Sequence, residues 1–519
     1  MSKEVSVDVA IMGSGVAGMG AAYKLVNAGV TNVAIFEKYP AQGGAVSNCP
    51  MCFCSTPDTP EAQKSAFDVL ARHSNYSANL GLVSKAIKET AEFPDLFLNQ
   101  LKIEAPMVVN REPSDYGNQR GYTMGHANGL DVGDIYFLNG RGQAGHAFSL
   151  AMLRLYNMLK KQGVEFYFST PIKKIIRDDN SGKVTGAIAY DKDGEEIDIS
   201  CKALIVASGG FSGNLEMMKE EGVVNTKFED CYKDGGQVII TFLDSCQDGD
   251  GHKAVWEIGG KKTGFGLGGD PQVPNPGVGL GPNIRWIPAN QIKVITEQPY
   301  LRVNELGRRF INEEMASNHS SISSSLALNC PNMCCYMIFD EDTAQGMSDH
   351  VEDDYVYFIF RGVTIENIRG QMDEAIAKGN KHMCHFDTIH EVCEYMGIDE
   401  DGLKKTLEKY NKAAETGYDE EFKTNPKYIK PVKEESGHIY CFRIFAGGYD
   451  TLGGLAIDEN ANVVDKNDYP IEGLYAGGDI ALASMMGDPP INVGGTVYGS
   501  MSTGMVAGES AAAYVKGEA

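Results

Sequence analysis

Gly13-Ser14-Gly15-Val16-Ala17-Gly18 stands between an apolar run and a helical pattern, and Glu37 follows nineteen residues after its last glycine. Residues of these types at this spacing suit one kind of chemistry. Glycines let backbone N–H groups approach a pyrophosphate at a helix N-terminus, and the later acid accepts from a ribose hydroxyl. The elements that must position them are legible around the motif. Val5 to Met12 alternates and then becomes wholly apolar, as a buried parallel strand does. Met19, Ala22, Leu25 and Val26 fall at helical spacing, and Gly29 closes the helix. Asn32 to Phe36 is a second apolar strand that runs into Glu37. Strand, turn, helix, strand and acid in register make a βαβ unit. The unit predicts dinucleotide binding through Gly13, Gly15, Ala17, Gly18 and Glu37.

Other segments converge on the same site. Lys38 to Gly43-Gly44 and Ala45 continues from the acid in a pattern that resembles FAD proteins rather than NAD dehydrogenases. Ala203 to Val206 is an apolar strand leading into Ala207-Ser208-Gly209-Gly210-Phe211, and the strand from Ile471 ends in Gly477-Gly478-Asp479. A strand that returns over 400 residues later to one nucleotide site implies an insertion between the halves of a domain. Residues 164–200 read as a β-meander with turns at Asn180-Ser181-Gly182 and Asp193-Gly194, preceded by an amphipathic helix over 146–161. Residues 264–282 hold seven Gly and four Pro, which suits an irregular crossing between domains. Beyond it the patterns are mostly helical, as at Ile365–Lys378 and Leu403–Tyr410. The expected organisation is a nucleotide-binding domain over 1–261 and 439–519 with a cap over 262–438. The fold class is α/β: a Rossmann-like FAD-binding domain, parallel sheet plus β-meander, with an inserted α+β cap.

Composition narrows the function classes. Lys plus Arg total 46 against 70 Asp plus Glu, a net charge of −24. So acidic a surface argues against nucleic-acid binding and against docking on anionic lipid. No apolar segment reaches the ~18 residues of a membrane span, and the N-terminus shows no signal-peptide pattern. A cytoplasmic location with reduced thiols is expected.

In order along the chain, several motifs resemble the soluble flavoprotein family of fumarate reductases, succinate dehydrogenase flavoprotein subunits and 3-ketosteroid dehydrogenases. They are the Gly13–Gly18 turn, Gly43-Gly44, Ala207–Phe211, Asp248-Gly249-Asp250-Gly251, Val303–Glu313, Thr451–Leu455 and Leu474–Asp479. The resemblance implies FAD, a mobile cap, and redox chemistry at an activated carbon–carbon bond held where the two domains meet. In such chemistry a hydride passes between flavin N5 and one carbon while a proton reaches the neighbouring carbon, and donors must stand ready for the developing enolate. The resemblance also implies cofactor roles for Lys38, Ala45, Ser208, Gly209, Asp250, Gly478, Asp479, Gly494 and Gly495. A helix from about Val497 to Val515 would aim its positive end at the flavin.

The departures from the family are as informative. Ala45-Val46-Ser47-Asn48 holds no His where succinate dehydrogenases attach the flavin covalently, so noncovalent FAD is expected. The proton-delivering Arg that follows the Arg-Phe-x-Asn-Glu motif is absent from Glu314–His319, and Asn492 stands where a second Arg precedes Gly494-Gly495. Tyr449-Asp450 replaces a His pair, and Pro490 stands where steroid dehydrogenases place a Tyr. A desolvated dicarboxylate without guanidinium partners would be costly. A neutral ring substrate such as a steroid or polyphenol fits better than fumarate.

Tyr449 and Asp450 read as an acid with its orienting partner, or else as a packed Tyr and a turn-capping Asp. His319 is a candidate proton donor, Asn492 a candidate substrate donor, and the Gly494 amide part of an oxyanion cradle. Cys49, Cys52 and Cys54, with Cys330, Cys334 or Cys335, could contribute to an iron–sulfur or zinc site. A loop of reduced thiols is the preferred reading, and no metal is expected. The chain therefore reads as an FAD-dependent oxidoreductase acting on CH–CH groups, with reduction of a carbonyl-activated C=C as the favoured direction. Its partners are a small-molecule substrate and an external electron donor, either a reductase, a flavodoxin-type carrier or NAD(P)H. The alternatives are a carboxylate reductase with a rearranged clamp and a noncatalytic FAD-binding subunit.

Overall fold

A computed structural model describes residues 3–44, 52–110, 132–138, 146–179, 182–223, 247–268, 273, 291–314, 330, 334–352, 362–445, 450–488 and 495–518. Strand β1 (Lys3–Met12) and helix α1 (Val16–Asn27) are followed by β2 (Val33–Phe36), parallel to β1 with Met12 opposite Phe36. Val9, Ala10 and Ile11 are fully buried, which explains the loss of alternation in this stretch. A small antiparallel sheet lies beside them, with β5 (Asp134–Phe137) between β3 (Cys52–Ser55) and β4 (Met107–Val109).

Residues 164–200 only partly match the expected meander. β6 (Glu165–Tyr167) pairs parallel with β2 and closes one edge of the main sheet. β7 (Ile172–Arg177), β8 (Val184–Tyr190) and β9 (Glu196–Val206) form the antiparallel run. β9 is longer than the apolar Ala203–Val206 stretch suggests, because one strand serves two partners. Its first part pairs with β8, and along its length it pairs parallel with β1. Helix α2 (Asp250–Glu257) follows.

The chain then passes through β10 (Phe265–Gly268) into a four-stranded antiparallel sheet. It contains β11 (Arg302–Val303), β12 (Cys334–Asp340), β13 (Met383–Phe386) and β14 (Ile439–Phe445), in the order β11-β12-β14-β13. The expected boundary at 438/439 therefore separates β14 from the sheet that contains it. β14 pairs residue for residue with β12, Cys334 opposite Phe445 and Asp340 opposite Ile439. One face of this sheet packs with Phe211, Met217 and Met218 from the first part of the chain, and the other face builds its own core. The helices here include Ile368–Ala377 and Glu400–Thr416. The second starts earlier than its apolar pattern, because Glu400 and Asp401 fill a first turn that favours acids.

β15 (Asp450–Gly453) returns antiparallel to β10. β16 (Asn462–Val464) and β17 (Pro470–Ala476) then complete the main sheet, in the order β16-β17-β9-β1-β2-β6, with β17 parallel to β9. The last helix, α3 (Gly495–Lys516), lies against α1. A Cβ on Gly504 or Gly508 would stand 2.2 or 2.3 Å from the carbonyl oxygens of Ala17 and Ala21, so these small residues set the helix spacing. Among the described residues no helix is long and apolar enough to cross a membrane.

Candidate functional site

The C-terminal ends of β1, β2, β9 and β17 and the start of α1 surround one open cleft. Crevices at that end of an open α/β sheet are where ligands bind. Gly13, Gly15, Ala17, Glu37, Lys38 and Gly44 line it from the first βαβ unit. Ser208, Gly209, Asp250, Gly478 and Asp479 line it from the segments that follow in sequence.

Each acid in the cleft is held before any ligand arrives. Glu37, 8% exposed, accepts from the Ser14 N–H and hydroxyl through Oε2, both at 2.8 Å, and from the Tyr39 N–H through Oε1 at 2.8 Å. Asp479 accepts from Ser500 Oγ at 2.5 Å. Lys38 pairs with Asp248 at 2.6 Å, and Lys173 pairs with Asp250. Ser14, Asp248 and Ser500 also line or support the cleft, as does Gln247. Ser14 stood inside the glycine motif and Asp248 inside the Asp-Gly-Asp-Gly motif, yet neither type signals a nucleotide contact. Lys173 had no signal, since its partner is 77 residues away.

The glycines test what the cleft is shaped for. A Cβ on Gly18 would stand 2.0 Å from the Gly13 carbonyl oxygen, so Gly18 lets the helix pack on the turn and does not face the cleft. Gly43 is likewise set back, donating its N–H to Ser14 O at 3.2 Å. Gly15 differs. A Cβ there would meet no protein atom within 4 Å, so no protein contact requires a glycine. Gly15 is also the N-cap of α1 and offers no side-chain cap, leaving first-turn N–H groups for another acceptor. Open space beside uncapped helix donors fits a pyrophosphate. Gly18→Ala should cost at least the ~1–3 kcal/mol of ordinary overpacking, because the opposing atom is backbone and cannot swing aside. The variant should purify with little bound dinucleotide, read as flavin absorbance per chain.

Of the candidate catalytic residues, His319, Tyr449, Asn492 and Gly494 lie outside the described residues, as do Ala45 and Cys49. Gly495 begins α3. Cys52 and Cys54 are buried in β3. Asp450, 1% exposed, opens β15. β15 crosses directly over the turn after β9: Thr451 Oγ1 accepts from the Phe211 N–H at 2.7 Å. Asp450 Oδ1 lies 2.9 Å from where a Cβ on Gly210 would be. A buried carboxylate thus stands one residue from Gly209, which lines the cleft.

A vinyl phenol reductase of Lactiplantibacillus plantarum is 26% identical over 532 residues, spanning 99% of this chain and 98% of that protein. An NADH:acrylate oxidoreductase of Vibrio harveyi is 24% identical across 98% of this chain, which spans half of that protein's length. Among solved structures, a 3-ketosteroid delta1-dehydrogenase from Sterolibacterium denitrificans shares the fold. Its TM-score is 0.68 at 18% identity, over 98% of this chain and 99% of that one. The model of the FAD binding domain family matches residues 8–490, so the chain belongs to that family: the dinucleotide its cleft is shaped for is FAD, and the protein is a flavin-dependent oxidoreductase.

Proposed function

We propose that this chain reduces a C=C bond conjugated to the ring of a neutral, hydroxyl-bearing substrate of the vinylphenol type, with electrons from an external donor. The reading rests on Asp450, a buried carboxylate beside Gly210. Such a group favours a hydroxyl, whose proton it can accept, and repels the carboxylate of fumarate or acrylate. A bare carbonyl oxygen gains nothing from it, since both are acceptors. Likeness across nearly the full length to a vinyl phenol reductase supports the same substrate class.

The chemistry that FAD supplies when bound is hydride transfer. The chain's own residues supply the rest. Asp450 accepts the phenolic proton, and the electron pair left on oxygen shifts through the ring to the terminal alkene carbon. That carbon takes a proton from an acid, for which Tyr449 and His319 are the candidates. Asp450 returns its proton to oxygen once the benzylic carbon has received its hydride. The sum is one hydride and one proton added across the double bond. A separate reductase, a flavodoxin-type carrier or NAD(P)H is the proposed source of electrons.

A panel driven by reduced viologen tests this reading. 4-Vinylphenol should turn over, and its methyl ether should be slower by roughly 10⁴-fold, the discrimination of a site built around a substrate hydroxyl. Fumarate or acrylate turning over as fast as the phenol would refute the reading.

A further inference from the structure

Helix α2 links the nucleotide cleft to β15. Asp250 lines the cleft, and Gly251 is pressed on Ser208, where a Cβ would stand 2.1 Å from Oγ. His252 and Trp256, four apart on this helix, share a face. Each gives a ring N–H to the glycine pair at the end of the strand: His252 Nε2 to Gly453 O at 3.0 Å, and Trp256 Nε1 to Gly454 O at 3.1 Å. Both glycines lie in the left-handed region, at φ +95° and +112°. A Cβ on Gly454 would stand 2.5 Å from the imidazole.

The state of His252 follows from its surroundings. It is fully buried, against Phe211, Trp256 and Phe265, with ring centroids at 5.1, 5.5 and 6.3 Å. A carbonyl only accepts, so Nε2 carries the proton. Burial lowers the pKa to about 4, leaving Nδ1 bare, and among the described residues Nδ1 has no hydrogen-bond partner. A buried acceptor left without a partner is a cost that an aliphatic residue would avoid. Packing alone therefore does not account for a histidine here; its Nε2–H does.

We propose that His252 and Trp256 are positioning residues of the reaction: by clamping the Gly453 and Gly454 carbonyls they hold Asp450 and Thr451 in place beside the Gly209-Gly210 turn. The proposal rests on the reading of Asp450 given above. The clamp itself can be measured independently of it.

The test compares holoenzymes of His252→Leu, His252→Gln and Trp256→Phe, measuring viologen-coupled kcat and KM on 4-vinylphenol, bound FAD, and amide hydrogen exchange over residues 450–456. Leu should keep FAD and KM, lose about 10²-fold in kcat, as misplacement by about an ångström does, and exchange faster over 450–456. Gln, whose amide N–H can reach Gly453 O, should restore both rate and protection. Trp256→Phe keeps the ring and loses the donor, and should show the same pattern more weakly if His252→Leu fails to fold. Wild-type kcat and protection in His252→Leu, or in Trp256→Phe if that is the variant that folds, would overturn the proposal. So would His252→Gln as slow as His252→Leu. Faster exchange and lost kcat beside an indifferent Asp450→Asn would support the clamp and reject the role given to Asp450.

Discussion

Asp450→Asn should slow reduction of 4-vinylphenol by about 10²–10⁴-fold, the usual worth of a positioned proton-transfer group. Asparagine matches the carboxylate in shape and still accepts a hydrogen bond, but it cannot hold the phenolic proton. Binding should therefore change little, and the loss should fall on kcat. FAD should remain bound, because the residues lining the cleft do not include Asp450. A rate within threefold of wild type, measured on flavin-replete enzyme, would remove Asp450 from the chemistry.

The second large effect falls on a residue that does not line the cleft. Arg309 sits over Phe422 at 4.6 Å from the ring centroid and grips two buried carboxylates. Its Nε and Nη2 reach Glu313 at 2.9 and 2.6 Å, its Nη1 and Nη2 reach Asp419 at 3.0 and 2.8 Å, and Nη2 also meets Thr424 Oγ1 at 3.1 Å. The network ties the Arg-Phe-x-Asn-Glu turn to the loop after helix Glu400–Thr416. Arg309→Met should destabilise this part of the chain by about 3–5 kcal/mol, because two buried charges lose their counter-ion. Adding Glu313→Gln and Asp419→Asn should recover part of that loss, and thermal unfolding of the single and triple variants checks both statements. An unchanged single variant would show the grip to be dispensable.

The same network sets an acid limit. Burial alone would raise the Asp419 pKa, but hydrogen bonds and charge from Arg309, with backbone N–H groups of its loop, hold it well below the ordinary value. A carboxyl with a depressed folded pKa adds stability above its unfolded pKa, near 3.9, and that stability is lost as pH falls through the folded value.

What the sequence revealed follows the range of the interactions. The β1–α1–β2 unit and Glu37 were legible because turn, helix and acid lie within 25 residues and obey local periodicity. Glu37 was read as a ribose acceptor, while its first partners are Ser14 of the glycine turn and Tyr39 of its own loop. β14 was misplaced because its partner β12 lies about a hundred residues away and an apolar run does not name its sheet. Asp450 could be noticed as a departure from a family pattern, but its approach to Gly210 spans 240 residues and is visible only in three dimensions. The His252 and Trp256 donors cross a similar gap to glycines that any turn might hold.

In sequence β10 precedes the 302–445 region and β15 follows it, and these two strands pair, Phe265 with Gly453 and Gly268 with Asp450. A paired ribbon yields to bending across its width, which keeps every rung intact, and resists sliding along its length, which breaks them. A rocking of the 302–445 region on the rest of the chain would therefore bend this ribbon rather than shear it.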